Sequence, residues 1–254
     1  MRHVPTLLRR ELSAYFLGPM AFLILLAFQV IAWLNFQELL QGMVNRPRIY
    51  SGVQDPLNHY IVGNMAFWMG LMVAVPALTM RLVSEERRAG TIETLLTVPV
   101  TEVEVVLSKW LAGVLMYLVL LLPFGVYLPF LYYQAKFYFD PGPFVALSIG
   151  LTTVGMMYVA IGLFFSALTR NQIVAAIWTF VTIFLSLVLP NVAYNLLAAR
   201  GVEWAESIRF LMVVSHLQSF ALGQLDLRYL MLHLSVCAFV LFLTIKVVQW
   251  RRQG

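Results

Sequence analysis

The chain has 254 residues, of which 61% are hydrophobic and only 11% charged, and its mean hydropathy is +0.83; a soluble domain carries about 45–50% apolar and about 25% charged residues. These values exclude a water-soluble globular fold and define an integral membrane protein. A formal charge of +5 would suit nucleic acid if the basic residues formed one stripe with interleaved aromatics, but they flank apolar runs, so no nucleic-acid partner is expected.

Acidic and basic residues leave charge-free intervals at 12–37, 56–80, 110–135, 141–169, 171–199 and 229–245. Since about 20 helical residues cross the hydrocarbon, the intervals predict six transmembrane helices at about 15–36, 58–82, 108–133, 144–168, 172–191 and 227–248. The fold class is all-α, with 1–254 forming one polytopic domain. A cytoplasmic N-terminus places Arg2, Arg9, Arg10, Arg81, Arg87, Arg88, Lys109, Arg170, Lys246, Arg251 and Arg252 inside, against Arg46, Arg48, Lys136, Arg200, Arg209 and Arg228 outside. Eleven against six obeys the positive-inside rule, so both termini are expected in the cytoplasm.

At the start of the chain, residues 2–13 put Val4, Leu7, Leu8 and Leu12 on one helical face and predict an N-terminal interfacial helix, with Gly18-Pro19 marking the bend into the first span. The apolar run 14–36 is longer than a signal-peptide core of about 7–15 residues and no small-x-small site follows it, so an uncleaved span is expected. The loop at about 38–58 contains Gly42, Pro47, Gly52 and Pro56 and reads as irregular. Pro76, Pro123 and Pro129 are expected to bend their helices. In the fourth span, Ala146-x-x-x-Gly150 and Gly162-x-x-x-Ser166 permit close helix approach. The stretch 192–226 is too long for a turn and too apolar for a disordered loop, so short helices re-entering or lying on the outer leaflet are expected there, with 192–197 and 208–214 helix-compatible.

Between the second and third spans lies a polar island, 84–104, the best organised exposed segment of the chain. A helix leaving the membrane near Arg81 is expected to run to Ala89, with Arg87 and Arg88 suiting its C-terminal dipole and Gly90 ending it. Thr91 is then placed to cap a short helix with Glu93 in its first turn. In that helix Ile92, Leu95 and Leu96 share one face, while Glu93, Thr94 and Thr97 lie off it. Pro99 stops it, and Thr101-x-x-Glu104 is a capping box for the helix that carries Lys109 into the third span. The island reads either as a solvated connector resting on headgroups or as a rigid element facing a partner; its doubled caps favour the second.

The run Glu85-Glu86-Arg87-Arg88-Ala89-Gly90-Thr91-Ile92-Glu93-Thr94-Leu95-Leu96-Thr97-Val98-Pro99-Val100, followed by Glu104 and Lys109, resembles the signature region of ABC-2 type ABC transporter permeases. Arg10-Glu11-Leu12 with Tyr15-Phe16 and Pro19 is similar to the start of the gliding-motility and nitrous-oxide-reductase-maturation branch. Ser166-Ala167-Leu168-Thr169-Arg170-Asn171-Gln172 resembles its turn between the fourth and fifth spans, and Ser215-His216-Leu217-Gln218-Ser219-Phe220 with Gly223 and Asp226 its last outer segment. The resemblance implies a permease half whose coupling helix, 91–97, docks on a separate ATPase subunit. Carried over by position, the contact comprises Glu86, Gly90, Thr91, Ile92, Glu93, Thr94, Leu95, Leu96 and Pro99, with Arg170 and Asn171 as a smaller second patch. It further implies two ATPase copies that bind ATP and Mg, a second permease copy or a paralogue, export as the direction, and a bacterial inner membrane.

The sequence holds no G-x-x-x-x-G-K-[ST] phosphate loop, so no ATPase site and no resident cofactor are expected. No carboxylate lies deep in a predicted span, against an ion-coupled carrier. His233 reads as a packed histidine rather than a proton relay, and His3, His59, His216 and His233, far apart and on differing predicted sides of the membrane, give no metal cluster. Cys237 reads as a packing residue. Two functions stay open: an ATP-driven exporter, or a non-transporting component that passes the same motion to an envelope machine through an extracytoplasmic partner protein at 192–226.

Overall fold

A computed structural model describes residues 3–45, 57–88, 101–135, 141–202 and 204–253, and they are helical throughout, joined by short turns. The first helix, α1 (Val4–Leu17), ends at Gly18, whose backbone is extended at ψ 138°. Pro19, the first residue of α2 (Pro19–Asn45), denies the preceding residue helical geometry, so the chain turns there.

The expected span 58–82 is not one helix. It opens as a π-helical turn, Asn58–Val62, breaks at Gly63-Asn64, and resumes as α3 (Met65–Thr79), with the Asn64 side chain accepting a hydrogen bond from the Ala66 N–H at 2.9 Å. A sequence of apolar residues conceals the break because Asn64 acts through its cap rather than its polarity. At 15 residues, α3 is about 22 Å long, short of the roughly 30 Å hydrocarbon. Among the described residues, five segments are long and apolar enough to cross a membrane: Pro19–Glu38, Glu102–Tyr127, Pro141–Leu168, Gln172–Ala199 and Leu227–Trp250.

The short α4 (Ser84–Arg88) follows a turn. Next, α5 (Glu102–Ala135) opens on the Thr101–Glu104 capping box: the Glu104 N–H donates to Thr101 Oγ1 at 3.3 Å, and Glu104 Oε2 accepts from Thr101 N and Oγ1 at 3.3 and 3.2 Å. Two long helices, α6 (Pro141–Leu168) and α7 (Gln172–Ala199), are joined by the tight turn at 169–171. Whereas the outer segment was expected to begin at 192, α7 runs through Pro190 to Ala199. Pro190 removes the bond to the carbonyl of Ser186, and the next residue, Asn191, adds a side-chain bond from Nδ2 to the Leu187 carbonyl at 3.0 Å. The chain then forms α8 (Ala205–Arg209), α9 (Val213–Ala221) and α10 (Leu227–Gln253). Gly201 and Gly223, at φ 66° and 79°, make the turns after α7 and α9 that residues with a Cβ rarely adopt.

Helix α6 is the hub. Helices α3, α5, α7, α9 and α10 all pack on it, while α1 lies across α5. Its small residues allow this: a Cβ on Gly162 would land on the Thr79 side chain of α3, and one on Gly150 on the Phe220 ring of α9. An aromatic cluster ties the other elements together, with Phe124 of α5 5.1 Å from Phe67, and 5.6 Å from both Phe28 and Tyr60, centroid to centroid.

Candidate functional site

A charge in an apolar bundle must be paired or driven out. Lys109, on α5, is 2% exposed, and its Nζ lies 3.0 Å from Glu11 Oε1 of α1 and 3.0 Å from Glu86 Oε2 of α4. Arg10 completes the group, its Nη2 donating to Glu86 Oε1 at 2.8 Å and to Glu11 Oε1 at 3.1 Å. Two cations and two carboxylates cancel, and they knot α1 to the consecutive helices α4 and α5. Close by, the Tyr15 hydroxyl donates to the Leu78 carbonyl at 2.8 Å, binding α1 to α3. The His3 N–H reaches Glu104 Oε1 at 3.4 Å, binding the start of α1 to the start of α5.

A second fastening holds α4 to α6. The turn between α3 and α4 leaves helix-end groups without intrahelical partners, and the buried Ser166 hydroxyl takes three of them. It accepts from the N–H groups of Val83 and Ser84, both at 3.1 Å, and donates to the Met80 carbonyl at 3.0 Å. A hydroxyl has one donor and two acceptor positions, and all are used. Arg87 Nη1 then donates to the Ala167 carbonyl at 2.6 Å. Helix α4 is therefore clamped at Glu86 to α1 and α5, and at Ser84 and Arg87 to the end of α6.

Among the expected contact residues, Glu86, Arg170 and Asn171 are described; Gly90, Thr91, Ile92, Glu93, Thr94, Leu95, Leu96 and Pro99 lie outside the described residues, as does the two-turn helix 91–97 itself. Glu86 is turned into the Lys109 knot. Arg170 is exposed, and Asn171 caps α7, its side chain accepting from the Ile173 N–H at 3.0 Å. Because α4 packs against the ends of both α6 and α7, it shares one end of the bundle with this turn. The knot itself was legible only in fragments: Arg10, Glu11, Glu86 and Lys109 are each visible as charges at the borders of apolar runs, but no periodicity pairs residues almost a hundred positions apart.

At the other end of the bundle, His216 and His233 are not the separate groups that their sequence distance suggested. His216 Nδ1 and His233 Nε2 lie 3.2 Å apart, His233 Nδ1 is 3.2 Å from Thr153 Oγ1, and His216 Nε2 is 3.0 Å from the Phe210 carbonyl. The carbonyl can only accept, so His216 Nε2 carries a proton. With both rings neutral, His233 Nε2 then donates to His216 Nδ1, and the one Thr153 hydroxyl proton is shared between the Gly150 carbonyl, at 2.9 Å, and His233 Nδ1. Tyr229 stacks on His216 at 4.1 Å. Burial pushes the His216 pKa down to about 4, against smaller opposing pulls from the Phe210 carbonyl and Asp226. No group of three metal-ligating side chains occurs among the described residues.

The fold is that of a multi-pass membrane bundle with a charged, clamped end. The family model for ABC-2 family transporter proteins matches residues 21–223, most of the chain. The chain belongs to the ABC-2 transporter family. As such it is the permease component of an ABC transporter, and membership implies an ATP-binding-cassette ATPase as its partner. No match to a curated protein was found.

Proposed function

We propose that this chain is the membrane half of an exporter in a bacterial inner membrane, paired with a second copy or a paralogous permease and driven by two cytoplasmic ATPase subunits that bind ATP and Mg. The segment 91–97 is its coupling helix, presenting Ile92, Leu95 and Leu96 to the ATPase groove, with Glu86, Arg170 and Asn171 at the edge of the contact. The observation that carries this reading is the double clamp on α4. The coupling segment begins where α4 ends, and α4 is held to α1 and α5 through Lys109 and to α6 through Ser166. A push on 91–97 is thereby shared among three helices instead of bending a loose linker, as alternating access requires.

The test is Leu95→Asp. A carboxylate on the docking face should abolish co-purification of the ATPase while the chain still inserts and folds; undiminished co-purification would remove the docking assignment. The non-transporting alternative uses the same drive. It is supported by the exposed apolar Leu211, Leu222 and Leu225 at the opposite end of the bundle from α4. Vesicles holding the purified complex separate the two: ATP-dependent cargo movement by the complex alone marks an exporter, and turnover that rises only when an extracytoplasmic protein is added marks the alternative.

A further inference from the structure

Beside the knot, α1, the start of α2 and the end of α3 enclose a cavity of about 520 Å³ that is charged at one side and apolar at the other, within the size range of small-molecule sites. Its apolar wall includes Met20, Ala21 and Ile24 of α2 and Leu78 of α3, and Leu17 at its rim is 86% exposed. Of the charged residues around it, Arg10, Glu11, Glu86 and Lys109 neutralise one another. That leaves Arg81 and Glu85, neither of which forms an ion pair with any described residue. Arg81 Nε is buried without a hydrogen-bond partner among the described residues, and its guanidinium lies over Gly18, where a Cβ would come 3.9 Å from Nη1.

A buried guanidinium N–H without an acceptor is costly unless a ligand supplies one. The cavity therefore offers the half-buried Arg81 and the exposed Glu85 beside an apolar wall, at the start of the membrane-spanning α2. We infer that it is a binding site for a phosphoethanolamine lipid. The phosphate is held by Arg81, a planar donor fork suited to it, and the primary ammonium by Glu85; the upper acyl chain lies along Met20, Ala21 and Ile24. A trimethylammonium headgroup has no N–H to give Glu85, and an anionic glycerol headgroup has no cation, so both fit less well. The site uses no residue of 91–97 and stands whether or not that segment docks an ATPase. A lipid there would sit against the α1–α2 bend.

The test is titration of the delipidated full chain in detergent, followed by native mass spectrometry and thermal unfolding. The probes are dioleoyl phosphatidylethanolamine, phosphatidylcholine, phosphatidylglycerol and soluble phosphoethanolamine. The ethanolamine lipid should bind and raise the melting temperature, with phosphatidylcholine and phosphatidylglycerol weaker by about tenfold or more, the loss of one charged hydrogen bond. Arg81→Gln should lose this binding, and Glu85→Gln should lose the preference over phosphatidylglycerol. Ile24→Trp, which fills the apolar wall without touching either charge, should also reduce binding and covers the case in which Arg81→Gln fails to fold. Equal binding of all three lipids to the wild-type chain, or unchanged binding in both Arg81→Gln and Ile24→Trp, would overturn the assignment. Displacement of the lipid by soluble phosphoethanolamine would overturn the lipid half and leave a soluble ligand.

Discussion

Lys109 shows how one residue sets the character of this end of the molecule. Its ammonium is buried and compensated by two carboxylates at 3.0 Å, so Lys109→Met leaves Glu11 and Glu86 facing each other with only the half-exposed Arg10. The expected loss is about 3 kcal/mol, the low end of what breaking a buried pair costs because Arg10 still screens both acids. Thermal unfolding in detergent should show it, and adding Glu11→Gln and Glu86→Gln should restore part of the stability. At the opposite end, His216 titrates below its ordinary 6.5, at about 4. Its folded form rejects a proton that the unfolded form accepts, so its contribution is complete above about pH 6.5 and is lost as pH falls toward 4. Melting temperature should therefore drop between pH 7.5 and 5, and His216→Gln should flatten that dependence; an unchanged slope would refute it. The positions of these charged and histidine side chains were plain in the sequence, but their partners were not, because contacts between Glu11 and Lys109 or His216 and His233 depend on which helices pack together.

Among elements, α4 is the piece whose meaning changed most. Five residues of helix would be unstable alone, and α4 persists because Ser166 supplies the partners that its broken junction with α3 lacks. Ser166→Ala leaves two buried N–H donors and one carbonyl without this hydroxyl, a loss of about 3 kcal/mol. It should also make limited proteolysis near 89–100 faster than in the wild-type chain; equal rates would mean that Ser166 does not hold α4. The small-residue pattern Gly162-x-x-x-Ser166 revealed close approach in advance, and the capping box at Thr101–Glu104 revealed where α5 begins. Two boundaries were concealed. Gly63-Asn64 breaks the second apolar run by capping rather than by charge, and Pro190 fails to end α7 because apolar surroundings favour retaining the rest of the helix ladder across a single missing donor.

For the whole molecule, family membership and architecture agree with the composition: an apolar helical bundle whose described residues include an organised charged cluster at one end, in a family that implies an ATPase partner. The number of spans was harder to read than the class, since a charge-free interval marks only where a helix could cross and α3 is too short to do so unaided. In the function proposed above, the ATPase pushes on this chain chiefly through 91–97. The most direct measurement is site-specific cross-linking in native membranes, in a background where the buried Cys237 is replaced by alanine. Single cysteines at Thr94 and, as the opposite-end control, at Leu222 are compared using a short bifunctional reagent. Thr94→Cys should give an ATP-sensitive product with the ATPase subunit and Leu222→Cys none; equal yields from both positions, or a product from Leu222→Cys alone, would contradict docking at 91–97.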